Sequence, residues 1–299
     1  MKNIGVVGLG TMGGPMALNL LRAGFRVSVF NRTGSKAAPI VEAGATQCAS
    51  IAELTARCEA VVIVVSDDDA VRAVVQGDDG ILAAAAPGLL VIDSSTVHPD
   101  TSNAMATALG RKQVTYLDAP VTGSRPQAEQ GKLFFLVGGP EAGYRAAVPL
   151  LEAMGRKHLH LGPTGLGSCA KLANNMLGFI HMAALSEALS MGKRYGLDPK
   201  LLHEVISHSG GRSAVSDGKG PKMIAGDWAP DFALRLAHKD LGLARDLAEQ
   251  LGLPAPVLVI AKEVFLMARE RFGGDGDACS VYRWYEQGVD ETPKRGHTT

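Results

Sequence analysis

A lysine and an asparagine four positions apart, Lys171 and Asn175, stand in the run Gly165-Leu166-Gly167-Ser168-Cys169-Ala170-Lys171-Leu172-Ala173-Asn174-Asn175. At that spacing they share one face of a helix. A lysine at the mouth of an apolar helix loses solvation of its ammonium, which lowers its pKa and lets it exchange protons near neutral pH. A lysine whose stem merely covers apolar surface would leave the same trace in the sequence. The second constellation is Gly8-Leu9-Gly10-Thr11-Met12-Gly13. Its glycines suit a tight turn, an approach of backbone to a pyrophosphate and a close helix–strand contact, in that order. The helix that follows would point its N-terminal donors at the phosphates. Together these residues predict a nucleotide site and one proton-transferring lysine.

The elements that must position them follow from the apolar pattern. Residues 4–7 form a short buried strand and Met16, Ala17, Leu20 and Leu21 have helical spacing, which gives the glycine run its strand–turn–helix setting. A second strand, 27–30, ends at Asn31-Arg32-Thr33. An acidic residue there would hold the adenosine ribose of NAD; Asn31 is neutral, and Arg32 and Thr33 can donate to a ribose phosphate. The loop favours NADP, with NAD the other possibility. Residues 61–65 and 89–93 are apolar throughout, as strands buried on both faces of a parallel sheet are. Further strands are read at 115–118, 132–137 and 158–161. Ligands of such sheets bind at the carboxyl ends of the strands, where Val65-Ser66, Thr96 and Thr122-Gly123-Ser124 fall. The acidic run Asp67-Asp68-Asp69 reads as the start of a helix.

Beyond residue 161 strand signals stop. The run 167–194 reads as a helix about 40 Å long, apolar on nearly every face and so buried. Helices follow at 200–207, 234–251 and 257–272. The expected architecture is α/β plus all-α: a doubly wound Rossmann domain over 1–163, then an all-α domain over 164–288 led by the long helix, and a disordered polar tail over 289–299.

Composition narrows the function. Thirty basic and thirty acidic residues among 299 cancel, so no net field draws the chain to nucleic acid or an anionic membrane. Apolar runs are too short to span a membrane. Cys48, Cys58, Cys169 and Cys279 lack pairing or zinc spacing, as free thiols in a cytoplasmic protein do. His158 and His160 share a strand face without a third ligand, and no metal is expected. Neither a nucleophile elbow nor a Walker loop is present.

The motifs resemble those of the β-hydroxyacid dehydrogenases, which include 3-hydroxyisobutyrate dehydrogenase, tartronate semialdehyde reductase and the glyoxylate/succinic semialdehyde reductases. The resemblance covers about residues 4 to 285. Val6-Val7-Gly8-Leu9-Gly10-Thr11-Met12-Gly13-Gly14-Pro15-Met16-Ala17-Leu18-Asn19-Leu20 is similar to the family signature, and Asp118-Ala119-Pro120-Val121-Thr122-Gly123-Ser124 to its substrate-binding segment. Gly165-x-Gly167-x-x-x-Lys171-Leu172-x-Asn174-Asn175 is similar to the catalytic segment, and Lys239-Asp240-Leu241 to a later cofactor and substrate motif.

The resemblance implies a 6-phosphogluconate dehydrogenase-like fold and a role for each residue. Lys171 would give or take the proton at the substrate oxygen, and Asn175 would bind substrate and orient Lys171. Thr122, Gly123 and Ser124 would hold the carboxylate of a small substrate, with Phe232 and Asp240 shaping its site. Gly8, Leu9, Gly10, Thr11, Met12, Gly13, Asn31, Arg32, Thr33, Val65, Ser66, Thr96 and Lys239 would line the cofactor. Thr122 stands where serine is usual, and Ser124-Arg125-Pro126 is similar to the semialdehyde reductases rather than to a Gly-rich continuation. The implied activity is NADPH-dependent reduction of a small semialdehyde acid. The alternatives are 3-hydroxyisobutyrate oxidation with NAD, imine reduction, and cofactor binding without catalysis. A homodimer or homotetramer is implied, with no membrane or nucleic-acid partner.

Overall fold

The structure, a computed structural model, describes residues 1–286; the expected tail 289–299 lies outside the described residues. The chain divides into two compact units, the first being Met1–Leu172 and the second beginning at Ala173.

The first unit is built on nine strands: β1 (Asn3–Val7), β2 (Arg26–Phe30), β3 (Thr46–Gln47), β4 (Ala60–Ile63), β5 (Leu90–Asp93), β6 (Thr115–Asp118), β7 (Val121–Thr122), β8 (Leu133–Gly138) and β9 (Gly155–Gly162). They lie in the order β3-β2-β1-β4-β5-β6-β8-β7, with β9 paired to β8. From β3 to β6 every pairing is parallel, which is the doubly wound order whose direction switches between β1 and β4. β8 runs antiparallel to β6 and β7 and parallel to β9.

Alternation along the strands builds two cores. Ile4, Val6, Val62 and Ile92 pack on one side with Met16, Ala17 and Leu20 of α1 (Gly13–Arg22). Val7, Val61, Ile63 and Val91 pack on the other with residues of the crossover helices. Those helices are α3 (Ile51–Ala56), α4 (Asp68–Gln76), α5 (Ile81–Ala84) and α6 (Pro99–Gly110), while α2 (Ala38–Glu42), α7 (Arg125–Glu129) and α8 (Glu141–Met154) add Ile40, Ala128 and Leu150 to the α1 side. Helix α4 starts as the acidic run predicts, with the Asp67 carboxylate accepting from the Ala70 amide at 2.9 Å.

The second unit is helical. Helix α9 (Leu166–Tyr195) begins in the first unit and continues into the second, followed by α10 (Pro199–Ser207), α11 (Ala214–Ala225), α12 (Leu234–Gln250), α13 (Pro256–Phe272) and α14 (Tyr282–Glu286). Among the described residues of this unit the one β feature is an isolated bridge between Ala233 and Asp277. Phe179 on α9 sets its ring 5.6 Å from Phe265 of α13 and 5.8 Å from Phe232.

Three expectations change. The β3 and β7 strands have two residues each, too few for an apolar period to mark them. Helix α11 contains Gly218, Gly220 and Pro221, residues of poor helix propensity; Ser213 caps it and Met223 anchors it in place of intrinsic preference. Helix α9 is not buried all round: Ala173, Leu177, Ala184, Met191 and Tyr195 form an exposed stripe. Leu172, Phe179, Met182, Leu185 and Leu189 are buried, so an apolar circumference supplies core on one side and open surface on the other.

Replacing Phe265, which is 0% exposed between α9 and α12, with alanine is expected to cost about 3–5 kcal/mol in denaturant unfolding. A loss below about 1 kcal/mol would mean that the site collapses around the smaller side chain.

Candidate active site

The glycine loop divides its labour by position. Gly8 has φ +95°, and a Cβ there would sit 2.1 Å from the Val64 carbonyl oxygen. A Cβ on Gly13 would fall 1.9 Å from the Gly8 carbonyl. A Cβ on Gly10 would meet nothing within 4 Å, so the loop opens its backbone to surrounding space at the position the fingerprint reserves for pyrophosphate. No side chain caps the N-terminus of α1, which leaves its positive end for an anion. These features fit a dinucleotide.

Asn31 takes a different part from the one its position implies. Its Oδ1 accepts from the Leu9 amide at 2.9 Å and its Nδ2 donates to the Thr33 carbonyl at 2.9 Å. The side chain thus ties the glycine loop to the end of β2. Arg32 and Thr33 are exposed, and so is Lys36, which sequence reasoning passed over. It stands in the 3-10 turn Gly34–Ala37, four residues after Arg32.

At the next strand ends, side chains take over from the sheet ladder. β4 stops at Ile63, two residues before the expected end. Val64 still donates to the Val7 carbonyl at 2.9 Å, but the Val65 amide turns to the Ser95 hydroxyl at 3.0 Å. The Asp93 carboxylate, 1% exposed, accepts from the Ser95 amide at 2.9 Å and the Tyr116 hydroxyl at 2.8 Å. Desolvation raises its pKa to about 6 against the opposing pull of those bonds. Thr96 follows, half-buried, while Ser66 is exposed with its hydroxyl donating to Asp67 at 2.7 Å.

Beyond β6 the chain passes through Thr122, half-buried, and Gly123, which is exposed with φ +119°. Ser124 donates both its amide and its hydroxyl to Gln127 Oε1, at 2.9 and 2.7 Å, so its side chain starts α7. Asp118, at the end of β6, reaches the first turn of α9: its two oxygens accept from the Gly165 amide at 2.9 Å and the Ser168 amide at 2.8 Å. Lys171, one turn further on, is 7% exposed.

In the second unit Asn175 is 9% exposed and donates Nδ2 to Asp240 Oδ2 at 2.7 Å. Lys239 Nζ lies 3.0 Å from the other oxygen, which is buried and finds charge there without hydrogen-bond geometry. Asn175, Lys239 and Asp240 are therefore one cluster. The Phe232 ring lies tilted at 31° against Phe179, and its amide donates to Asp277 at 3.2 Å. Thr96, Thr122, Gly123 and Lys171 belong to the first unit, and Asn175, Phe232, Lys239 and Asp240 to the second.

Comparison with known proteins covers both units. Residues 3–162 match the family described as the NAD binding domain of 6-phosphogluconate dehydrogenase. Residues 165–285 match the one described as the NAD-binding domain of NADP-dependent 3-hydroxyisobutyrate dehydrogenase. The chain is 42% identical over 272 residues to 3-hydroxyisobutyrate dehydrogenase of Pseudomonas aeruginosa, covering 89% of this chain and 91% of that one. It is 36% identical over 285 residues to 2-(hydroxymethyl)glutarate dehydrogenase of Eubacterium barkeri, covering 95% of each. A solved 3-hydroxyisobutyrate dehydrogenase of Mycobacterium tuberculosis with L-serine superposes with a TM-score of 0.88 at 31% identity, over 95% of this chain and 99% of that one. The chain belongs to the β-hydroxyacid dehydrogenases.

In this β-hydroxyacid dehydrogenase the nicotinamide cofactor would be held by the glycine loop, the α1 N-terminus and the turn after β2. What sequence reasoning missed is the set of buried acceptors, Asp93 and Asp118, because a carboxylate at a strand end carries no periodic signal. Among the described residues no group of three or more His, Cys, Asp or Glu could hold a metal, and no helix is long and apolar enough to cross a membrane.

The raised pKa of Asp93 has a consequence for stability. Below its unfolded value the carboxyl is neutral in both states, and its burial costs nothing in charge. As pH rises to about 6 the folded state must ionise a desolvated group, and that advantage is lost. The stability of the wild type relative to Asp93→Asn should therefore increase on acidification from pH 7.5 to 4, by at most about 3 kcal/mol. Denaturant melts of both proteins across that range measure it, and a constant difference would contradict the assignment.

Proposed function

We propose that the protein is an NADPH-dependent reductase of a small semialdehyde acid, interconverting it with the hydroxy acid. The observation that carries this reading is Lys171, 93% removed from solvent, four residues before Asn175 on one helix of a chain that matches hydroxyacid dehydrogenases along nearly its full length. Bound nicotinamide supplies a hydride at C4 in reduction and accepts one in oxidation. The Lys171 ammonium gives its proton to the oxygen as charge develops there, and takes one back in the reverse direction. Asn175, with its amide nitrogen committed to Asp240 and its carbonyl oxygen accepting from Asn174 Nδ2 at 3.4 Å, would offer that oxygen's remaining lone pair to a substrate hydroxyl. Thr122 and Gly123 hold the carboxylate.

NADPH is favoured by the exposed cations Arg32 and Lys36 beside Thr33, and by a strand end without a carboxylate. Oxidation of 3-hydroxyisobutyrate is the second reading, supported by the 42% identity to the Pseudomonas enzyme. Residues 1–163 serve the cofactor and 164–288 the substrate and a subunit interface. The exposed stripe on α9, with Leu177 at 52%, Met191 at 71% and Tyr195 at 83%, supports a homodimer or a homotetramer. Four free cysteines support a cytoplasmic setting.

Initial rates on a panel of small semialdehyde acids, each with NADPH and NADH, test the reading directly. Lys171→Ala should lower kcat by several orders of magnitude while cofactor affinity changes little; near-wild-type turnover would end the assignment. Arg32→Ala should raise KM for NADPH at least about tenfold, and KM for NADH hardly at all. Equal changes would remove the preference for NADPH.

A further inference from the structure

Helix α9 starts without a cap of its own. The residue before it is Gly165, in the left-handed region at φ +94° and with no side chain to offer the first-turn amides. The acceptors come instead from a strand end 47 and 50 residues earlier in the chain: Asp118 Oδ1 takes the Gly165 amide and Oδ2 the Ser168 amide. Asp118 is 1% exposed and Ser168 1% exposed, so water does not compete for these bonds.

The surroundings leave no slack. A Cβ on Gly138 would approach Asp118 Oδ1 to 2.5 Å, and one on Gly167 would approach the Asp118 and Leu136 carbonyl oxygens to 2.5 Å each. The Ser168 hydroxyl bonds Ser102 at 2.9 Å in the same buried region, and Tyr116 joins Asp93 to Ser102. Polar contacts therefore run without a break from the Ser95 segment through Tyr116 and Ser102 to the start of α9.

We infer that Asp118 is a positioning residue for proton transfer, a clamp that fixes the first turn of α9, and with it Lys171, against the segment that leads from Asp118 to Thr122 and Gly123. Ser168 precedes Lys171 by three residues and lies on the same face of the helix one turn earlier. A shift of the first turn moves the Lys171 ammonium by a comparable amount. The carboxylate is suited to this task because it accepts two amides at once and faces the positive end of the helix. An asparagine would keep one acceptor and turn an N–H against the second amide. The inference rests on the assignment of Lys171 as the proton donor.

Asp118→Asn is expected to lower kcat between about 10- and 100-fold, with the Kd for NADPH within about twofold of wild type because the glycine loop is untouched. As hydride and proton transfer slow, the primary isotope effect on kcat with C4-deuterated NADPH should rise; a role confined to folding would reduce the active fraction and leave that effect unchanged. Amide hydrogen exchange of the peptide 163–172 should quicken in the same variant. Ser168→Pro, which deletes the second donor where no intrahelical bond is lost, should give the same pattern and stands in if Asp118→Asn does not fold. Unchanged kcat, isotope effect and exchange in a folded variant would overturn the inference. A wild type inactive on the whole panel would count against the functional reading, while the exchange experiment would still decide whether Asp118 clamps the helix.

Discussion

A parallel sheet leaves polar backbone groups at its carboxyl ends that the ladder no longer pairs, and each must find an acceptor or face water. The first unit depends on how these groups are met. The Leu9 amide goes to Asn31, the Val65 amide to Ser95, the Ser95 amide to Asp93, and the Gly165 and Ser168 amides to Asp118. Apart from Asp93, which bonds Ser95 two residues on from its own strand, each acceptor is a side chain rooted on a neighbouring element. The loops at the ligand end of the sheet are thus fixed to one another by side chains instead of by the ladder.

This arrangement has a thermodynamic cost. Asp93 and Asp118 are both 1% exposed, and burial raises the pKa of each. For Asp118 the opposing influence is the pair of amides from the start of α9, and for Asp93 it is Ser95 and Tyr116. Apolar residues would fill the same space without the desolvation penalty but would leave four amide or hydroxyl donors unpaired. What the carboxylates supply is direction: bonds of fixed length between elements far apart in sequence. A site that moves a proton over a fraction of an ångström needs that more than it needs added stability.

Legibility in the sequence followed the physical signal each feature leaves. Fully apolar runs such as Val61–Ile63 and Val91–Ile92 announce a sheet buried on both faces, and the fingerprint between β1 and α1 announces its ligand. Lys171 and Asn175 were visible because helical spacing places them on one face. Helix α11 was hidden by its two glycines and Pro221, whose low propensity is overridden by the Ser213 cap and by packing. The open stripe on α9 was hidden for the opposite reason: a helix apolar all round does not say which of its faces its own chain covers. Asn31, Ser124 and Asp118 stand at positions read as ligand contacts or as a motif's first letter, and their bonds to Leu9, Gln127 and Gly165 follow from the fold.

The division of the chain after Leu172 gives α9 a particular part. Lys171 is the penultimate residue of the first unit, three residues after Ser168, whose amide donates to Asp118 of β6, and Asn175 is the third residue of the second, bonded to Asp240 on α12. Their offset along the axis is about 6 Å and is set by the helix itself, whose intervening residues are held by backbone bonds. Asn175 is bonded by a carboxylate from its own unit, and the Asp118 carboxylate bonds α9 one turn before Lys171. The offset lasts as long as α9 stays helical across residues 171–175. That segment contains neither glycine nor proline and begins one turn after the Asp118 clamp.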